Sequence, residues 1–142
     1  MLYTCDGNNT SPPLAWSGAP AGTQGFAVVM LDTSLAAPNN VHWVIYDLAA
    51  SVTALPASIP NGYSIAAPVA AHQTKSSFNP VFEYLGPCPP PGGGAHDYEL
   101  TLYAVDAPTL PGLDMTSTPQ AVIAQIVAHK VASTKLVGKF AR

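Results

Sequence analysis

Apolar and polar positions divide the chain into a few clear strands, one helix and long stretches broken by turn formers. Phe26 to Leu31 is a compact apolar run that follows Gly25 and ends at Asp32. It is too short for a helix between such flanks and reads as a buried strand. Val41 to Leu48 (V-H-W-V-I-Y-D-L) concentrates β-branched and aromatic residues and reads as a second strand. Tyr98 to Val105 alternates, with Tyr98, Leu100, Leu102 and Ala104 on one face and Glu99, Thr101 and Tyr103 on the other. One helix is predicted, capped by Thr118 with Pro119 in its first position, and Val122, Ile123, Ile126, Val127, Lys130 and Val131 recur at helical spacing. Lys130 and Lys135 then lie toward its negative pole. Val137 to Phe140 predicts a last short strand. Cys5 to Gly25 reads as an extended loop around Leu14-Ala15-Trp16, and Thr33 to Asn40 as a second loop. Ser51 to Pro90, broken by Pro56, Pro60, Gly62, Pro68, Pro80 and Pro87, reads mostly as loop.

The 142 residues fit one domain, 1–142. Apolar residues make up 48%, enough for a core, while 15 Pro and 11 Gly argue for many turns rather than disorder. Five Lys and Arg against a net charge of −3 leave no cation cluster to neutralise nucleic-acid phosphates or to hold an anionic membrane surface. No stretch reaches the ~20 apolar residues of a membrane span. Met1 runs into Leu2-Tyr3-Thr4-Cys5 with neither a charged nor an apolar leader region. The expected compartment is therefore the cytoplasm, or the periplasm or exterior if the chain is a mature form.

Candidate chemistry sits at strand ends, where rigid elements deliver functional groups. Asp32 ends one strand, His42 begins the next, and His96 with Tyr98 opens a third. Each alone is as easily structural; two imidazoles, a carboxylate and a phenol recurring at three strand ends make a candidate site. Two His and a carboxylate are also the ligands of a facial metal triad. The spacing holds no compact ligand motif, however, and His72 and His129 show no partner pattern, so no metal and no cofactor are expected. The two cysteines, without C-x-x-C spacing, suggest neither zinc nor a thioredoxin motif.

Three blocks carry a resemblance. They are Y-T-C-D-G-N-N-T-S-P-P-L-A-W-S-G-A-P-A-G-T from Tyr3 to Thr23, V-H-W-V-I-Y-D-L from Val41, and G-P-C-P-P-P-G-G-G-A-H-D-Y-E-L-T-L-Y-A-V-D from Gly86 to Asp106. From Tyr3 to the C-terminus the chain resembles the phosphatidylethanolamine-binding family, in its bacterial branch of small homologues related to the Raf kinase inhibitor protein. The resemblance implies a mainly β, antiparallel β-sandwich with one or two short helices. It also implies a phosphate-sized pocket whose residues fall on Asp32, His42, His96 and Tyr98, bordered by Pro38 and by a cis-proline-bearing loop at Gly86-Pro87-Cys88-Pro89-Pro90. A Cys5–Cys88 disulfide fits the same branch, the alternative being two free thiols.

Three departures from the family pattern stand out. Its D-P-D-x-P loop reads D-T-S-L-A-A-P from Asp32 to Pro38, with Thr33 and Ser34 replacing Pro and the second Asp. Its H-R-Y reads His96-Asp97-Tyr98, an anion replacing a cation near the mouth. Relatives begin with some twenty more residues that include a strand, and lacking it would leave a sheet edge open.

The function implied is binding of a small anionic, phosphate-bearing ligand, a phospholipid head group among the candidates. An imidazolium from His42 or His96 would meet the anion, with Asp32 holding an imidazole in place. Affinity would then fall as pH rises through the histidine titration. Two other readings stay open: a hydrolase using Asp32 and His42 with Cys88 or Ser34 as nucleophile, and a protein-binding kinase or protease inhibitor. The open edge and the relatives also point to a homodimer.

Overall fold

The computed structural model describes residues 2–142. In chain order the elements are β1 (Leu14–Ala15), β2 (Gly25–Asp32), β3 (Val41–Ala49), β4 (Ala54–Leu55), β5 (Ser64–Ile65), β6 (Ala71–Gln73), β7 (His96–Val105), α1 (Pro119–Ala128) and β8 (Lys130–Phe140). A six-stranded sheet runs β5-β6-β3-β2-β7-β8, and β1 pairs with β4 in a two-stranded sheet. Every pairing is antiparallel.

Alternation along β2 explains the layering. Phe26, Val28 and Met30 point to one side, where Trp43, Ile45, Tyr98 and Ala104 join them beneath Leu14 and Leu55 of the small sheet. Ala27 and Val29 point to the other side, against Val44, Tyr46 and Val105, and there Val122 and Ile126 of α1 close the second layer. β2 is thus covered on both faces, as its near-continuous apolar run foretold.

Three expectations need correction. The Ser51–Pro90 stretch is not only loop: β4, β5 and β6 lie in it, two or three residues each, too short to show a period. The helix stops at Ala128, and Lys130 and Val131 open the eleven-residue β8, so neither Lys130 nor Lys135 serves the helix end. Thr118 does cap α1, its Oγ1 accepting the Ala121 N–H, and Pro119 stands in the first turn. What overrides the helical spacing is the open edge of β7, along which β8 pairs from Lys130↔Val105 to Phe140↔His96. Finally, the cis peptide bonds are Ala37–Pro38 and Ala67–Pro68, not bonds of the 86–90 loop.

β3 departs twice from simple register with β2. Met30 faces Trp43 while Leu31 faces Val41, so His42 is the extra residue of a bulge. A second shift lies between Phe26↔Leu48 and Val28↔Ile45, around Asp47, which has φ 59. Bulges re-aim side chains, and both of these fall on residues with polar partners.

Candidate anion site at the ends of β2, β3 and β7

Adjacent strands bring the four candidates together. Asp32 ends β2 opposite Tyr98 of β7, His96 lies two residues before Tyr98 on the same face, and the bulge turns His42 toward them. Asp32, 1% exposed, accepts from His96 Nδ1 at 2.6 Å and from the Ser34 N–H at 2.9 Å. The rings of His42 and Tyr98 meet edge-on at 5.2 Å, and those of His96 and Tyr98 lie 6.4 Å apart, nearly parallel. The cluster is deep. His42 is 3% and Tyr98 5% exposed, and only the His96 side chain, at 14%, reaches solvent appreciably.

The two histidines are held differently. His96 gives its Nδ1–H to a carboxylate, whereas His42 Nδ1 lies 2.9 Å from the Leu85 carbonyl. Burial pushes the His42 pKa below its ordinary value, against smaller raising effects from the Leu85 carbonyl and the Asp32 charge. This lowering weighs against His42 as the source of the expected imidazolium. Burial, the Asp32 charge and a hydrogen bond to the Asp32 side chain push the Tyr98 phenol up to about 12, so it stays protonated, with its hydrogen toward Asp32. Its oxygen accepts the Cys88 N–H at 3.2 Å.

The loop before β7 is fixed from below. Cys5 and Cys88 form a disulfide, the Cys5 N–H donates to the Pro87 carbonyl at 3.2 Å, and the Gly86 N–H donates to Asn9 Oδ1 at 2.7 Å. A Cβ at Gly86 would lie 2.2 Å from the Tyr3 carbonyl oxygen, so only glycine fits. Pro38 stands on the rim. Its carbonyl receives Ser77 Oγ at 2.8 Å and Gln120 Nε2 at 2.9 Å, steadying the neighbouring segment rather than joining the four. Ser34 uses its Oγ to accept the Asp97 N–H, and Cys88 has no free thiol. Asp97 falls on the face of β7 opposite His96 and Tyr98, 3.4 Å from Lys139, so it does not line the cluster.

Sequence reading missed Phe78, whose ring lies 4.8 Å from His42 while 48% of the residue stays exposed. An exposed phenylalanine among Ser, Asn and Pro carries no periodic signal. It also missed the Leu85 carbonyl, which no residue type announces, and the partners of the remaining histidines. His72 pairs with Asp47 at 3.0 Å, and His129 with Asp106 at 2.7 Å. Beside Tyr98 lies an apolar depression of about 430 Å³ lined by Met30, Pro87, Leu136 and Phe140 among others. Among the described residues no group of three or more His, Cys, Asp and Glu is placed to hold a metal ion. No described helix is long and apolar enough to cross a membrane.

Known proteins share this architecture. The sequence model of the family described as phosphatidylethanolamine-binding protein matches residues 2–141. A UPF0098 protein of Methanothermobacter thermautotrophicus is 34% identical over 142 residues, covering 99% of this chain and 88% of that one. YbcL of Escherichia coli, also a UPF0098 protein, is 33% identical over 94% of this chain and 73% of its own. The crystal structure of YbcL, described as a new member of the mammalian PEBP family, superposes with a TM-score of 0.84 at 30% identity, covering 97% of this chain and 84% of that one. A homologue from Chlamydia trachomatis, 23% identical, shares the fold at a TM-score of 0.79 over 99% of this chain and 87% of its own. With a family match over nearly every residue and a relative of known structure at 30% identity, this chain belongs to the phosphatidylethanolamine-binding protein family, in the branch of the UPF0098 proteins typified by YbcL.

Proposed function

We propose that this chain binds a small oxyanion, free or as part of a phosphorylated compound, at Asp32, His42, His96 and Tyr98. The carrying observation is the buried Asp32–His96 pair at 2.6 Å, set beside a protonated phenol and a second imidazole at three converging strand ends. Asp32 orients His96 and leaves its Nε2 for the ligand, while the Tyr98 phenol, hydrogen-bonded to Asp32, walls the site beside it. Gly86 and Cys88 hold the loop, and Pro38 holds the rim. The apolar depression beside Tyr98 offers room for the organic part of a ligand.

A nucleophilic hydrolase draws no support from Cys88, which is oxidised, or from Ser34, whose Oγ is turned to the Asp97 amide. The disulfide favours an oxidising compartment over the cytoplasm. At the free edge of β8, Lys130, Lys135 and Lys139 weigh against strand-to-strand pairing of two copies.

The test is a thermal-shift and calorimetric titration with phosphate and phosphorylethanolamine, with acetate as comparison. Both phosphate ligands should raise Tm by mass action in the parent chain, and should not in His96→Ala or Asp32→Asn. Equal shifts in both variants would remove the site from this reading.

A further inference from the structure

We propose that Cys88 and Arg142 form a thiol–disulfide exchange site, at which Cys88 takes up a low-molecular-weight thiol of the glutathione class as a mixed disulfide and Cys5 resolves it into the Cys5–Cys88 bridge. The proposal does not depend on what the Asp32, His42, His96 and Tyr98 cluster binds.

The two cysteines have unlike surroundings. Cys88 is exposed, on the loop that precedes β7, whereas Cys5 is half-buried in the N-terminal segment. Arg142 Nη1 meets Cys88 Sγ at 3.5 Å. That guanidinium is held in place: its Nε donates to Asp6 Oδ1 at 2.8 Å, and the Arg142 carbonyl accepts the Gly92 N–H at 3.1 Å. Cys5 instead has the Asp6 carboxylate as its chain neighbour, and its N–H is spent on the Pro87 carbonyl.

An exposed sulfur beside a fixed guanidinium is placed for exchange in two ways. An incoming thiolate is an anion, which Arg142 draws toward Cys88. Negative charge on the Cys88 sulfur, when it attacks or departs, meets a charge-assisted N–H. In the reduced chain the Cys88 thiolate attacks one sulfur of a small disulfide R–S–S–R; the Cys88–S–R bond forms and R–S⁻ leaves. Cys5 then gives its proton to solvent and attacks the Cys88 sulfur, which forms the bridge and releases the second R–S⁻. Two electrons pass from the cysteine pair to the small disulfide. In reverse, R–S⁻ attacks Cys88 and the Cys5 thiolate leaves.

Bonds other than the bridge set the two segments side by side. The Gly86 N–H donates to Asn9 Oδ1 at 2.7 Å, and Tyr84 Oη donates to the Tyr3 carbonyl at 2.8 Å. The Cys88 N–H also donates to the Tyr98 oxygen at 3.2 Å, so exchange at this sulfur touches the wall of the cluster.

The test begins with the oxidised chain in excess reduced glutathione at neutral pH, quenched with acid before opening is complete and mapped by peptide mass spectrometry. The mixed disulfide should sit on Cys88. Arg142→Gln should slow opening by about three- to tenfold, and Arg142→Lys should recover part of the rate. A merely structural Arg142 would act the other way, since a loosened loop opens faster. Separately, with glutathione disulfide, Cys5→Ser should gain one glutathione at least about ten times faster than Cys88→Ser. Mixed disulfide on Cys5, opening that Arg142→Gln leaves unchanged or speeds, or equal rates in the two folded serine variants overturns the proposal. The first measurement uses no cysteine variant, so it decides even where a serine variant fails to fold.

Discussion

His42 differs from the chain's three other histidines. His72, His96 and His129 each give Nδ1 to an aspartate, and only His42 gives it to a neutral carbonyl. Its lowered pKa has a consequence for stability. Below the usual imidazole value of 6.5 the unfolded chain takes up a proton that folded His42 refuses. The folded state then binds fewer protons, so His42 makes stability fall with acidification from about 6.5 down to its depressed native value. Tm measured from neutral to mildly acidic pH should decline, and the decline should be shallower in His42→Gln; an unchanged slope would contradict the lowered pKa of His42. Gly86 gives a second residue-scale prediction. Gly86→Ala forces a methyl into the Tyr3 carbonyl and should cost about 1–3 kcal/mol in urea denaturation. The sequence supplied Asp32, His42, His96 and Tyr98 because strand ends are visible as boundaries of apolar runs. It could not supply the Leu85 carbonyl or Phe78, since a backbone acceptor and a lone exposed ring leave no mark in a period.

At the scale of elements, long strands were legible and short ones were not. β2, β3 and the alternating part of β7 declare themselves through unbroken apolar or alternating runs. β4, β5 and β6 have no length in which a pattern can repeat. The start of β8 reads as helix because Val127, Lys130 and Val131 also suit one, and the deciding factor is the ten-residue neighbour that β7 offers. α1 depends on its two buried residues. Ile126→Ala should cost about 2–5 kcal/mol, since Ile126 has no solvent exposure beneath β2 and β3. Equilibrium denaturation measures it, and a loss under half a kilocalorie would mean the helix is not anchored there. The bulge at His42 was hidden for a different reason. An extra residue shows only when both partner strands are laid side by side.

For the whole molecule, the disulfide dominates. Cys5 and Cys88 are 83 residues apart, so their bond restricts much of the unfolded chain. Reduction, or Cys5→Ser with Cys88→Ser, should lower stability by about 2–4 kcal/mol. It should also weaken phosphate binding, because the Cys88 N–H that steadies the Tyr98 oxygen sits on the freed loop. Retained affinity after complete reduction, checked by thiol titration, would show that Asn9 and Tyr84, which donates to the Tyr3 carbonyl, suffice to hold that loop.

The same bond gives the polypeptide the connectivity of a ring with a tail. β1 through β6 lie inside the ring, and β7, α1 and β8 hang from it, so Asp32 and His42 belong to the ring while His96 and Tyr98 belong to the tail. A protease that nicks the exposed 33–38 segment opens the ring without releasing a piece: the product migrates as one species on a non-reducing gel and as two once a thiol is added.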